Sequence, residues 1–270
     1  MSQTPPASGP SVEGQMYLFR KAELITREKH GNMGISRPER PLAFVEKARA
    51  VPLTLGEMTT AMRHFPIIFS AADNPVPLAV TGLVDDENLF IDENGEWEKD
   101  VYVPGYIRRY PFALATDKDS QDPENPRMAI IVDGEYEGIN DSPEIPFFNG
   151  SEPSEQMQQA MEFCQSYERD RIQTQRFADV LKGFDLLTQQ MAQYTPDNKD
   201  SMAFARYIGV EEQRLRDLAD DKYLELRKQN IIPVLYAQLM SMTNWRTLLD
   251  KRARRHSLTS ANVLEPLNKS

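Results

Sequence analysis

PIIFSAADNPVPLAVTGLV, residues 66–84, decides the class of fold. Two runs rich in apolar, β-branched and aromatic residues, PIIFSA and PLAVTGLV, flank the turn-forming Asp73, Asn74 and Pro75, which is the pattern of two strands and a tight connection. Working downstream, NLFID follows a second turn at DDE. The step from there through Asn94-Gly95 to EWEKDVYV has the form of a hairpin, because Asn-Gly readily supplies positive φ. PFALAT and MAIIVDG read as two further strands around the acidic loop DKDSQDPENPR, and GEYEGI as a return arm. The β-rich half closes near Asn149.

Upstream, MYLF reads as a short strand and AFVEKARAVPL as an extended run closed by Pro52. LGEMTTAMRHF places Leu55, Met58, Met62 and Phe65 on one face of a short helix that Pro66 ends. After Ser151 the period turns helical. Ser154 and Glu155 mark an N-cap, and a stripe of Met157, Met161, Cys164, Tyr167 and Ile172 continues through Phe177, Val180, Leu181, Phe184 and Leu187 until TPDNKD breaks it. RYIGV reads as a short extended element, VEEQRLRDLADDKYLELRKQ as a helix pair, and IIPVLYAQLMSMTNWRTLLDKRARR as one final helix opening at Pro233.

The expected fold class is therefore α+β: an N-terminal antiparallel β meander with short helices, and a C-terminal helical group packed on it. The expected organisation is a disordered tail over 1–14, one domain over 15–255 and a flexible tail over 256–270. Within the domain, 15–149 is the β-rich part and 150–255 the helical part.

Composition narrows the function classes. With 31 Lys and Arg against 41 Asp and Glu, the formal charge of −10 opposes nucleic-acid binding through phosphate neutralisation. No apolar run reaches the roughly 20 residues that span a bilayer. The opening MSQTPPASGPSVEG lacks the basic and apolar regions of a secretory signal, which sets a cytoplasmic location as the expectation and surface association by a signal-less route as the alternative. A single cysteine, Cys164, excludes an internal disulfide and reads as a buried apolar residue of its helix. His30, His64 and His256 lack ligand spacing, so neither a metal nor a cofactor is expected. DENG resembles the start of a calcium loop but lacks the late bidentate acid, and its carboxylates read as a solvated turn. The basic run from Arg246 to Arg255 suits the carbonyl end of a helix. Nucleophile-elbow, phosphate-loop and dinucleotide patterns are missing from the sequence.

The most individual stretch is YVPGYIRRYPF, residues 102–112. Pro104 is placed to start one helical turn and Pro111 to finish it. Adjacent residues on a turn point about 100° apart, so Arg108 and Arg109 do not both face one small ligand. In one reading an inward arginine pairs with Asp92 or Glu87 and stacks on Trp97, Tyr106 or Tyr110. In the other, the same five residues Trp97, Tyr106, Arg108, Arg109 and Tyr110 form a site for a carboxylate or phosphate. A second candidate surface is the apolar face Leu235, Leu239, Met242 and Trp245, either core or partner face.

The order RHFPIIF, LAVTGL, ENLFIDENGEW, YVPGYIRRYPF and YAQLMSMTNWRTLL resembles the bacterial SapC family, from about Pro41 to about Leu249. That resemblance implies a bacterial protein of a family named for a surface-layer locus, and it brings no catalytic residues with it. A membrane-permease role would need bilayer spans that this sequence lacks. Two functions follow as expectations. One is a non-catalytic accessory or surface-layer-associated protein that contacts another bacterial protein. The other is a soluble cytoplasmic enzyme or small-molecule binder that grips an anionic group through Arg108 or Arg109.

Overall fold

The computed structural model describes residues 16–116, 128–197 and 200–267. The chain begins with β1 (Ala22–Leu24), α1 (Arg27–His30), capped by the Thr26 side chain, and β2 (Gly34–Ile35). MYLF does not form the expected strand. Leu18 sits at φ 69°, and the chain becomes extended only after Asp133 has taken the backbone N–H groups of Arg20 and Lys21, both at 2.9 Å. The expected extended run around Val45 contains a 3₁₀ turn, with β3 confined to Ala50–Pro52. A second 3₁₀ turn, Leu55–Glu57, feeds α2 (Met58–Ala61). The two strands read from residues 66–84 are β4 (Ile67–Phe69) and β5 (Pro77–Val80), antiparallel with Ile67 opposite Ala79.

The Asn94-Gly95 reversal forms with Gly95 at φ 73°, but its arms meet only at the bridge Ile91–Trp97. α3 (Gly105–Arg108) is the single turn expected between Pro104 and Pro111. β6 (Phe112–Thr116) and β7 (Met128–Asp133) pair antiparallel, while the acidic loop 117–127 lies outside the described residues. Short strands β8 (Ile139–Asn140), β9 (Ile145–Pro146), β10 (Phe148–Asn149) and β11 (Glu152–Pro153) follow. α4 (Glu155–Lys182) then runs unbroken for 28 residues, its start held by Ser154, whose Oγ accepts from Met157 N at 3.2 Å.

The helical stripe stops at Lys182, Asp185 turns the chain at φ 50°, and β12 (Leu187–Tyr194) pairs with β13 (Met202–Val210) along its whole length. Leu187 opens a strand instead of continuing a helix, and RYIGV is the end of β13. α5 (Glu212–Arg216) and α6 (Asp220–Lys228) are the expected helix pair. The final helix is divided into α7 (Ile232–Ser241) and α8 (Asn244–His256), with Met242 and Thr243 between them.

These elements form two compact units. The first, Met1–Pro41 with Arg109–Glu168, holds the sheets β1-β7-β6 and β8-β2-β9 and the ribbon β10-β11. Gly34 is the central contact of β8-β2-β9, where a Cβ would lie 2.1 Å from the Ile145 carbonyl oxygen, so only glycine permits the approach. Ile131, Val132, Phe147 and Met157 are buried in this unit.

The second unit, Leu42–Arg108 with Arg169–Ser270, is built on a five-stranded antiparallel sheet ordered β12-β13-β4-β5-β3. Its core gathers Phe65, Phe69, Leu181, Leu226, Leu235 and Leu248. α7 is fastened to the sheet by polar bonds as well. Gln238 accepts from Val210 N at 3.1 Å and donates to the Ile67 carbonyl at 3.0 Å, while Ser241 Oγ accepts from Ile67 N at 2.9 Å. The protein is thus α+β, with antiparallel sheets and a C-terminal helical group. Its principal sheet draws strands from both halves of the sequence instead of from one N-terminal meander. Among the described residues, no helix is long and apolar enough to cross a membrane.

Candidate functional site

Glu57 organises the surroundings of Arg108. The run Thr54-Leu-Gly-Glu57 is a capping box, so Glu57 turns back and its Oε2 accepts from Thr54 N at 2.7 Å and Thr54 Oγ1 at 2.9 Å. Its Oε1 accepts from Tyr102 OH at 2.9 Å and from Gly105 N at 2.6 Å, which fixes the first residue of α3. Burial and the Glu57 charge push the Tyr102 phenol up to about 12, so the group keeps its proton and donates it to the carboxylate. Arg108 closes the relay: Nη2 donates to Tyr102 OH at 3.1 Å and Nε to the Val103 carbonyl at 3.0 Å. The guanidinium lies 5.7 Å from the Tyr102 ring centre and the residue is exposed.

Arg109 belongs to the other unit and lives in a different medium. It is buried, with its guanidinium 4.9 Å from the Tyr167 ring centre and 5.9 Å from that of Phe19, and Nη2 reaches Met16 Sδ at 3.8 Å. Rings solvate a guanidinium through their negative faces, so both contribute to holding this cation. Tyr110 is tied to Asp133: its OH donates to the carboxylate at 2.8 Å, and its ring meets Phe19 and Tyr136 edge-on. Asp133 is wholly buried and also accepts from Arg20 N, Lys21 N and Glu135 N. Burial of the phenol and the Asp133 charge both raise the Tyr110 pKa.

The other residues of the expected site make contacts of their own. Tyr106 is buried within α3, and Trp97 stacks on Phe90 at 5.8 Å. Asp92 accepts from Asn94 N and Glu96 N within its own turn. Glu87 serves α8, where it meets Arg252, Arg255 and His256. Cys164 is buried as its stripe suggests, which pushes the thiol up to about 11. The face Leu235, Leu239, Met242 and Trp245 packs into the core of its own unit, with Phe204 and Tyr207 against Trp245.

Three features escaped the sequence reading. The capping box was spelled out in residues 54–57, but the contacts of Glu57 with Tyr102 and Gly105 were not. The ring partners of Arg109, Phe19 and Tyr167, come from distant parts of the chain. The wholly buried Arg252 looked like one more cation in a helix end. It pairs with Asp85 at 2.8 Å and Glu87 at 3.3 Å, and donates to the carbonyls of Val263 at 2.9 Å and Glu265 at 2.7 Å.

Comparison with known proteins is consistent with the motif order. No curated protein and no solved structure matches the chain. A family model described as SapC matches residues 25–248, most of the sequence, and the chain belongs to the SapC family.

Proposed function

We propose that this SapC-family protein is a non-catalytic accessory protein, associated with the surface layer, that acts by binding another protein. The observation that carries the reading is the edge strand β12. It is eight residues long and lies at one end of the five-stranded sheet. Its sequence, LTQQMAQY, contains no charged residue and no proline in a chain of net charge −10. Edge strands usually carry such residues to discourage pairing, and half of an edge strand's N–H and C=O groups point away from its neighbour. The opposite edge, β3, has three residues and ends at Pro52. The buried charges support the same reading, since Glu57, Asp133 and Arg252 hold turns and the chain end in place through protein partners.

Capture from a bacterial lysate with the full chain, beside the Met191→Lys variant, tests this. A stoichiometric partner retained by the parent protein and lost by the variant supports it. Equal capture by both, or none at any concentration, overturns it.

A second reading is favoured by one observation, the exposed Arg108 guanidinium fixed by Tyr102 and Val103. Such a preset cation suits a carboxylate or phosphate of a small ligand. A ligand-induced thermal shift that disappears in Arg108→Ala supports this reading, and shifts unchanged in the variant overturn it.

A further inference from the structure

We infer that β12 pairs with β12 of a second copy of this chain, antiparallel, with Met191 facing its symmetry mate. This rests on the reading of β12 as a contact edge and names what occupies it.

The local structure of the hairpin favours the pairing. The register shift between Ala192 and Gln193 sets Ala192 against Ala205 and Gln193 against Ala203, so the extra residue, Phe204, belongs to the inner strand β13. A bulge on the edge strand would twist it away from a partner. Here the irregularity falls on β13 and β12 runs on without interruption. Gln189, Met191 and Gln193 are all exposed, with Met191 at 52%, and they alternate along the strand as one face does.

The identity of the occupant follows from charge and symmetry. Two copies of a chain with net charge −10 repel one another at most surfaces. A neutral strip is where they approach without opposing like charges. A strand can pair with itself about a two-fold axis, each residue i meeting j as j meets i. Residues directly opposite in an antiparallel pair share a face, so the axis must pass through a residue and not between two. With the axis at Met191, the thioether side chains meet each other. Gln189 then stands opposite Gln193 of the second copy, two amides that each donate and accept, and Thr188 stands opposite Tyr194. A strand of eight residues is about 27 Å long. Pairing along that length alone falls short of the roughly 1,200 Å² of a standard stable interface, so the dimer is a weak one.

Sedimentation equilibrium of the purified full chain, up to on the order of 100 µM, reads the association directly, at concentrations where weak interfaces populate. A reversible monomer–dimer equilibrium is expected. In Met191→Lys the dissociation constant should rise about tenfold or more, because the substitution sets like charges directly opposite. Met191 is exposed but faces Arg206 across the β12-β13 ladder, so circular dichroism and the melting temperature check that the variant keeps the fold. In a Cys164→Ser background, Met191→Cys should form an intermolecular disulfide under mild oxidation, since opposed residues lie within the usual Cα separation of about 4.4–6.8 Å. Met202→Cys, on the inner strand, should stay largely uncrosslinked. A chain that remains monomeric at the highest concentration, a dimer unaffected by Met191→Lys, or equal crosslinking from both positions overturns the proposal. If the chain is monomeric yet captures a lysate partner in a Met191-dependent manner, the second-copy proposal fails and the accessory reading stands.

Discussion

Asp133 in the first unit and Arg252 in the second are both wholly buried charges, and the protein stabilises them by opposite means. Asp133 is met by dipoles: three backbone N–H groups and the Tyr110 hydroxyl converge on its carboxylate. Arg252 is met by the carboxylates of Asp85 and Glu87 together with two backbone carbonyls. An anion among N–H groups needs no counter-ion, and removing it leaves neutral donors unpaired. A cation between two acids is different, because removing it leaves two anions confined near each other. The second arrangement is the more fragile.

The largest effect is therefore expected from Arg252→Ala, about 3–5 kcal/mol of destabilisation. Both tryptophans, Trp97 and Trp245, lie in the second unit, so the urea midpoint of tryptophan fluorescence should report it. Limited proteolysis should also cut sooner after His256 in this variant. Asp133→Ala comes next at about 3 kcal/mol, with Asp133→Asn costing roughly half as much because an amide oxygen still accepts. Faster amide exchange in β1 and at the end of β7 would show the loss. Equal costs for Arg252→Ala and Asp133→Ala would break the distinction drawn between them.

Glu57→Gln sharpens the comparison. Glu57 is a buried anion of the second unit that, like Asp133, is held by backbone N–H groups and a phenol. If the sign of the charge and not the unit governs the solution, its replacement should cost about 2 kcal/mol, nearer the aspartate than the arginine. Chemical denaturation measures it.

The smallest effect is one of pH, and it falls on the first unit. Lys21 and Lys29 hold Glu23 down to about 2, and burial lowers the pKa of His30, whose Nδ1 accepts from Thr26 N at 3.2 Å. Both folded values lie below the unfolded ones, so the unfolded chain binds the extra protons. The His30 contribution is present above pH 6.5 and fades below it; the Glu23 contribution is present above 4.5 and is lost toward 2. Acid should therefore loosen β1 and α1, as amide exchange at Thr26 and Lys29 would reveal, and His30→Gln should flatten the upper part of that slope.

The sequence made certain elements legible where the determinant was local. Pro104 and Pro111 bracket α3, Asn94-Gly95 turns with positive φ, and Ser154 starts α4, because each feature acts on its own neighbours. β12 was illegible for the same reason. Leu, Gln, Met and Ala are good helix formers, and only the ladder to β13 overrides that preference. The arginine pair was recognised as unusual, yet Arg109 meets Phe19 and Tyr167, rings from distant parts of the chain, while Arg108 meets Tyr102 of its own stretch. Buried charge was hidden altogether, since nothing in KRARRH separates Arg252, held at 0% exposure, from its exposed neighbour Arg254.

The grip of Arg252 on the chain beyond α8 is directed at main-chain oxygens, and every amino acid carries one. The anchorage is blind to side-chain identity at 263 and 265 except where Val263 fills a buried socket. Residues around it are free to drift during evolution while the tail keeps its place, so Val263 should resist replacement far more stubbornly than Glu265.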